Sequence, residues 1–418
     1  MKPDMSIIDT IGVLTIMANN QRKRRTTGKT KPAGSANTVA KRSEVHMIRY
    51  FDYSLLAVLI CLICFGLVML YSTSAYSALV NYGDSMHYFK RQLIFCIAGF
   101  IGMYVIAKID YHIYIKWAKL IYYFSIFMMM LVKTPLGKEV NGAKRWIRLP
   151  FDQQLQPAEI AKIAIILFIP VLICTMGKEI KPLQGIIRVL LWGGFSAACV
   201  LFLTDNLSTA IIVMGITCVM VFVVHPKTRP FIIVVIIGLI AAIGGARLLG
   251  MAMETSGNFR LRRILVWLDP EKYASDGGYQ IMQALYAIGS GGFFGKGLGN
   301  STQKMVIPEV QNDMILSIIC EELGVFGAII VLVLFGMLLY RLLFIAQNAP
   351  DMYGSLVVTG IFAHIALQVI LNVMVVINLI PTTGITLPFI SYGGTSVLFL
   401  MAEMGIALGV SRKIKFAE

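Results

Sequence analysis

Charge is scarce in this sequence. Of its 418 residues only 14% are charged, 57% are hydrophobic, and the mean hydropathy is +0.76. Ordinary soluble domains carry about a quarter charged residues, so a water-soluble fold is excluded. Acid is scarcer than base: 22 Asp and Glu stand against 37 Lys and Arg, a net charge of +15. Ten of those 37 bases lie in the first fifty residues, including RKRR at 22–25. In a soluble chain such a cluster would suggest nucleic acid. Beside long apolar runs it predicts a basic, disordered cytoplasmic tail over 1–46, one that sets topology and touches anionic lipid. No secretory signal is evident, because Asp4 and Asp9 interrupt the apolar stretch 7–18 and the basic cluster follows it. Met17 and Met47 are alternative starts.

Cysteine gives no framework either. All seven (Cys61, Cys64, Cys96, Cys174, Cys199, Cys218 and Cys320) fall within apolar segments. The Cys61/Cys64 pair has no second ligand pair, so small buried hydrophobes are expected, not disulfides or a metal site. No internal repeat suggests an inverted-repeat transporter.

Long apolar runs, by contrast, fill the chain. Ten have near-spanning length: 53–75, 91–107, 117–133, 158–176, 185–203, 206–224, 230–248, 313–341, 353–378 and 394–411. The fold class is therefore an all-α polytopic membrane protein, with residues 47–418 as one ten-helix domain. An even count puts both termini on one side, and the basic tail with the final SRKIK makes that side cytoplasmic. The inner loops are then short. The outer ones, 134–157, 249–312 and 379–393, are longer and richer in Gly, Pro and polar residues. The loop 249–312 between spans seven and eight is the largest, and YQIMQALYAIG at 279–289 reads as an interfacial or re-entrant helix.

Several charges sit where a bilayer boundary makes them costly. The outer stretch KTPLGKEVNGAKRWIRLPFDQQ holds Lys133, Lys138, Lys144, Arg145 and Arg148 against the usual charge bias, which suits an anion site. In LQPAEIAK, Pro157 is placed as a first helical residue, and Glu159 and Lys162 share a helix face as a pair for a water-filled cavity. Asp205 lies in a short outer turn, where capping a helix is the competing role. Arg260, Arg262 and Arg263 form a second outer basic cluster. The glycine-dense GSGGFFGKGLG that follows, with Lys296, could bring backbone N–H groups to an anion. VIPEVQNDMILSIICEELG packs Glu309, Asp313, Glu321 and Glu322 into one helix mouth, which Pro308 or Asn312 could open. Glu321 and Glu322 would lie about 12 Å deeper than Asp313, at 1.5 Å per residue, with Lys162 or an outer arginine as partners. The Pro- and Gly-broken segment 378–396, carrying Thr382, Thr383, Ser391 and Tyr392, would close one wall of a cavity.

NGAKRWIRL, QPAEIAK, GYQIMQALYAIGSGGFFGKGLGNS, IPEVQNDMILSIICEELG and LPFISYGGTS occur here in the order found in the SEDS family (shape, elongation, division and sporulation), which this chain resembles over about 50–412. The resemblance implies ten transmembrane helices and a peptidoglycan glycosyltransferase in the bacterial cytoplasmic membrane. The substrate would be lipid II, a disaccharide-peptide on undecaprenyl pyrophosphate, and the partner a class B penicillin-binding protein of the divisome or elongasome. It makes Asp313 the essential carboxylate. It assigns Glu159 and Lys162 to the central cavity and matches Arg145 to the arginine of the GxxRW run. Two departures stand out. Gln311 and Asn312 replace the His and Thr many relatives carry. TDNLSTA replaces a PDxGTA pattern, with Ser208 in place of the glycine, which weakens the case for Asp205. The wording of the motifs and the basic tail favour the division (FtsW-like) branch.

The expected site therefore has Asp313 as catalytic base or metal-bound carboxylate. Arg145, Glu159, Lys162, Arg260, Lys296 and Ser391 would bind substrate, a divalent cation (Mg or Mn) would sit on Asp313 and Glu159, and Glu309, Glu321 and Asp205 would support it. The alternatives are a lipid II flippase and a scaffold that only activates a synthase.

Overall fold

The computed structural model describes residues 47–417, apart from 141–142, 150–152, 181, 227–228, 230, 234–235, 239–243 and 246–258. The expected tail 1–46 lies outside the described residues, and most of the expected seventh span does too. Within them, helices α1 (Tyr53–Tyr82), α2 (His87–Lys108), α3 (Ile113–Leu131), α4 (Pro157–Met176), α5 (Leu183–Leu203) and α6 (Leu207–Val224) are followed by two short ones, α7 (Phe259–Leu268) and α8 (Gly278–Gly291). Then come α9 (Ile315–Asn348), α10 (Met352–Val376) and α11 (Thr395–Ser411). Among the described residues, seven of these are long and apolar enough to cross a membrane: α1, α2, α4, α5, α6, α9 and α10.

Their starts follow from local chemistry. Asp52 accepts from Leu55 N at 2.8 Å to cap α1, Asn206 from Thr209 N at 3.1 Å to cap α6, and Asp351 from Gly354 N at 2.8 Å to cap α10. Pro157 does open α4. Helices α4 and α10 are central, each burying 67% of its apolar stretch, against 22% for α2. On α2 the side chains left uncovered are Ile94, Ile97, Ile101 and Val105, an apolar face that only lipid or another protein would tolerate. Cys61, Cys64 and Cys174 are exposed as well, contrary to the expectation that the cysteines pack inside; Cys96 and Cys320 are buried, and all seven are free.

At one end, strand β1 (Met47–Arg49) pairs antiparallel with the last strand, Lys415–Ala417, which brings the two ends of the described chain together. Arg341 of α9 locks that end by gripping Asp52 at 2.7 Å. At the opposite end, the loop 134–157 folds into a three-stranded sheet the sequence reading had not anticipated: β2 (Gly137–Val140), β3 (Ala143–Leu149) and β4 (Gln153–Leu155), with the last strand of the chain then β5. Thr395 Oγ1 donates to Gln154 O at 2.8 Å, tying this sheet to the start of α11.

The glycine-dense loop does something other than cradle an anion. Helix α9 breaks at Gly324 (φ 71°, ψ −170°). The 292–297 chain fills the break: Lys296 N donates to Glu321 O and Gly297 N to Glu322 O, both at 2.9 Å, while Val325 N reaches Gly292 O at 3.0 Å and Phe326 N reaches Phe293 O at 3.1 Å. Non-helical backbone at membrane depth survives only when its polar groups are satisfied inside the protein, and these bonds do that. A Cβ on Gly324 would lie 2.2 Å from Phe293 O, at a φ that L side chains avoid. Gly324→Ala is therefore expected to cost at least about 1–3 kcal/mol from the backbone alone. Thermal unfolding of the purified protein checks it; an unchanged midpoint would refute the role given to this loop.

Candidate active site

The loops 306–314, 378–394 and 204–206 meet Lys133, Arg145 and strand β4 at the end that carries the small sheet. Asp313 stands two residues before α9, not in its first turn, because the chain at 309–312 closes a turn with Asn312 N donating to Glu309 O at 2.9 Å. Neither Pro308 nor Asn312 opens the helix; Ile315 does. Glu309 sits at φ 47°, a strained position for a residue with a Cβ. Asn372 of α10 clamps the loop from below. Its Nδ2 donates to Asp313 O at 2.8 Å and to Ile385 O at 2.7 Å, joining the Asp313 loop to the broken wall segment. The Asp313 carboxylate faces the backbone of that wall: Oδ2 lies 4.0 Å from where a Cβ on Gly384 (φ +71°) would sit. Asn372 Oδ1 and Thr383 Oγ1 are buried beside it without a hydrogen-bonding partner in the protein.

Burial pushes the Asp313 carboxyl up to about 6; nearby Glu309 adds to this, while the loop's own N–H and Arg263 pull the other way. Asp313 lies ahead of α9, and burial is the largest influence on its carboxyl. Arg263 belongs to the basic cluster at 260–263, and its spacing alone does not single it out. From α7 it donates Nη1 to Thr382 O at 3.1 Å and places its charge on Asp313. The selected neighbour, Arg260, has a side chain outside the described residues.

Glu159 and Lys162 pair as expected, Oε2 to Nζ at 2.9 Å, but neither snorkels: their side chains are 10% and 3% exposed. Lys162 Nζ also lies 3.4 Å from Gln368 Oε1. Gln368 continues to His364, whose Nε2 is 2.9 Å away, and His364 Nδ1 lies 2.7 Å from Glu403 Oε2 of α11. His364 and Glu403 are fully buried. The sequence did hold a signal for this row. HIALQVILN puts His364, Gln368 and Asn372 at i, i+4 and i+8, one face of an apolar helix.

Arg145 and Asp205 come together at the rim. Arg145 Nη2 donates to Asp205 O at 3.2 Å, and Lys133 Nζ meets Asp205 Oδ2 at 3.0 Å. The cap of α6 is Asn206, so Asp205 (φ 49°) is a rim ion-pair residue instead.

Four expectations need correction. Glu321 and Glu322 were expected to reach Lys162 or an outer arginine; they are fully buried and bound by Lys296 Nζ at 2.6 Å and Lys304 Nζ at 3.2 Å. Glu321 also accepts from Thr302 N at 3.2 Å, Thr302 Oγ1 at 3.0 Å and Gln303 N at 3.3 Å, and Glu322 from Ser72 Oγ at 2.7 Å. Unpaired carboxylates at that depth are costly, so the loop folds onto them. Lys296, expected at the substrate, is thereby held on Glu321. Ser391, expected to bind substrate, is buried and accepts from Leu387 N at 2.9 Å, closing its own turn. A metal shared by Asp313 and Glu159 does not fit: Glu159 is paired with Lys162, and among the described residues no three His, Cys, Asp or Glu side chains converge as a metal site.

This arrangement, a bundle of membrane helices with a half-buried carboxylate under a strained loop cluster, agrees with what similarity shows. The model of the FtsW, RodA and SpoVE cell cycle protein family matches residues 52–415, and the chain belongs to that family. It is 38% identical to the stage V sporulation protein E of Bacillus subtilis over 87% of this chain and 98% of that one. It is 35% identical to the probable peptidoglycan glycosyltransferase FtsW of Geobacter sp., over 88% of this chain and 98% of that one. Among solved structures, a chain of a peptidoglycan synthase complex that coordinates polymerization and crosslinking superposes with a TM-score of 0.71 at 26% identity, covering 87% and 98% of the two chains. The rod shape determining protein RodA of Thermus thermophilus shares the fold, with a TM-score of 0.62 at 24% identity over 87% and 97%.

Proposed function

We propose that this protein is a peptidoglycan glycosyltransferase that polymerises lipid II at the outer face of the cytoplasmic membrane, with both termini inside and a ten-helix frame. The observation that carries this reading is Asp313: a half-buried carboxyl held at about 6, clamped by Asn372 and facing an open glycine wall. A base poised near operating pH suits proton abstraction. The 4-hydroxyl of the acceptor sugar attacks the anomeric carbon of the donor. The bond from that carbon to the pyrophosphate oxygen breaks, the new C–O bond forms, and Asp313 takes the hydroxyl proton. The outcome is inversion, since among the described residues no second carboxylate is clearly placed as a covalent nucleophile. Arg145, Lys133 and Arg263 supply positive charge at the rim for the departing pyrophosphate. A divalent cation would bind the substrate's own phosphates and offset their charge.

The flippase alternative requires polar residues that continue to the inner face. Among the described residues the hydrogen-bonded row that starts at Lys162 ends at His364 and Glu403, about halfway along α10 and α11. A class B penicillin-binding protein as partner, and a place in the divisome, form part of the same proposal; it is supported by the similar chain solved within a peptidoglycan synthase complex.

The test uses purified protein, lipid II, magnesium and the matching class B penicillin-binding protein with its transpeptidase blocked, scored as glycan chains on a gel. No chains, with lipid II crossing liposomes instead, would favour the flippase. The same assay run against pH has a stated sign. A carboxyl raised to about 6 is protonated below that value and cannot accept a proton, so the rate is expected to climb through pH 6 and level off above 7. A flat profile from 5 to 7.5 would remove Asp313 as the titrating base.

A further inference from the structure

His364 and Glu403 touch neither Asp313 nor the rim, and nothing in the reaction above uses them. Their hydrogen bonds, however, can be read to the proton. Gln368 Nε2 lies 3.0 Å from Thr386 O, an acceptor, so the amide nitrogen must face that carbonyl. Lys162 Nζ, which can only donate, lies on the other side at 3.4 Å from Oε1 and demands the same orientation. Oε1 therefore also faces His364 Nε2 at 2.9 Å, and two acceptors cannot approach so closely without a proton between them. Nε2 must carry it. That leaves Nδ1 and Glu403 Oε2, 2.7 Å apart, to share one proton, so the pair is net neutral whichever atom holds it. A neutral pair is what a buried apolar setting tolerates.

We propose that His364 and Glu403 are a positioning pair for the transferase site: by presenting Nε2–H to Gln368 Oε1 they lock the carboxamide that seats Lys162 on one side and the Thr386 wall on the other. The wall then reaches Asp313, because Ile385, the neighbour of Thr386, shares the Asn372 clamp with the Asp313 carbonyl. Glu403 holds the imidazole, the imidazole holds the amide, and the amide holds a charged side chain of the cavity and its backbone rim. Partners that orient a functional side chain without touching the reacting groups typically matter by about 10- to 100-fold.

The role rests on the polymerase reading, but the proton does not, so two measurements are paired. The first is the ¹⁵N spectrum of histidine-labelled full-length protein in nanodiscs at neutral pH, with His364 assigned by its loss in His364→Phe. A protonated Nε2 is expected; an unprotonated Nε2 overturns the proposal whether or not the protein polymerises lipid II. The second is a cycle in the polymerisation assay. The apolar replacement of both partners, His364→Phe with Glu403→Leu, should lower kcat about 10- to 100-fold with KM for lipid II changed less than about threefold. Combined with Gln368→Leu it should cost nothing beyond Gln368→Leu alone, since the pair acts through that residue. Costs that multiply, or a double variant at the wild-type rate, overturn it. Should the double variant fail to fold, Glu403→Gln decides: its amide N–H can donate to Nδ1 and preserve Nε2–H, so kcat should stay within about threefold, and a folded protein with a larger loss refutes the mechanism.

Discussion

Asp313→Ala and Asp313→Asn are both expected to abolish glycan chains from lipid II while leaving the protein folded. Loss of a positioned base costs about 10²–10⁴ in rate. Asn preserves the shape of the carboxyl and removes only its ability to take a proton, so it separates chemistry from packing. Removing a carboxyl whose burial pushes it up to about 6 also relieves a desolvation cost, so thermal stability should hold or rise in the Asn variant. Chains from wild type and none from either folded variant establish the base. Chains from all three would sink it and leave the scaffold reading, in which the partner does the chemistry.

The largest stability effect is expected not at Asp313 but at Glu322. This carboxylate is fully buried and holds Ser72 of α1 and Lys304 of the 301–305 turn against α9; the Lys304 side chain is only 9% exposed. Glu322→Ala strands that ammonium and opens the seam between α1, the loop and α9. Breaking a buried pair by removing one partner costs about 3–5 kcal/mol. The control is Glu322→Met with Lys304→Met, which removes both charges and should recover most of the loss. Unfolding midpoints in detergent decide it. A Glu322→Ala protein as stable as wild type would mean that water reaches Lys304 and that the site is more open than its geometry indicates.

The run VIPEVQNDMILSIICEELG poses a question that sequence alone answers only halfway. Four carboxylates at one helix mouth read as one cavity, and the structure divides them. Asp313 and Glu309 share the loop ahead of α9, where the Glu309 charge helps to raise the Asp313 carboxyl. Glu321 and Glu322 belong to a separate fastening, in which Lys296 and Lys304 return from the glycine loop. Spacing cannot separate these roles, because the partners lie about 20 residues away and reach the acids only through the break at Gly324. Similarly, GSGGFFGKGLG carries the composition of an anion-binding turn, but which acceptors its N–H groups meet depends on what packs opposite. Here those acceptors are the carbonyls of Glu321 and Glu322.

The sequence by itself determined that this is a polytopic helical membrane protein, where most of its spans run, that Pro157 starts a helix, and that Glu159 and Lys162 share a face. These are local or compositional facts: hydrophobic length is set by bilayer thickness, and three-residue spacing by the helical turn. Tertiary structure decided everything that needed two distant segments. It brought Arg263 to Asp313, put the Asn372 clamp under the Asp313 loop, paired strands β2, β3 and β4 into a sheet, and ran a buried row from Lys162 to Glu403. The physical reason is that a buried polar group in a membrane protein must find its partner within the protein, and only packing of the helices determines which one lies within reach.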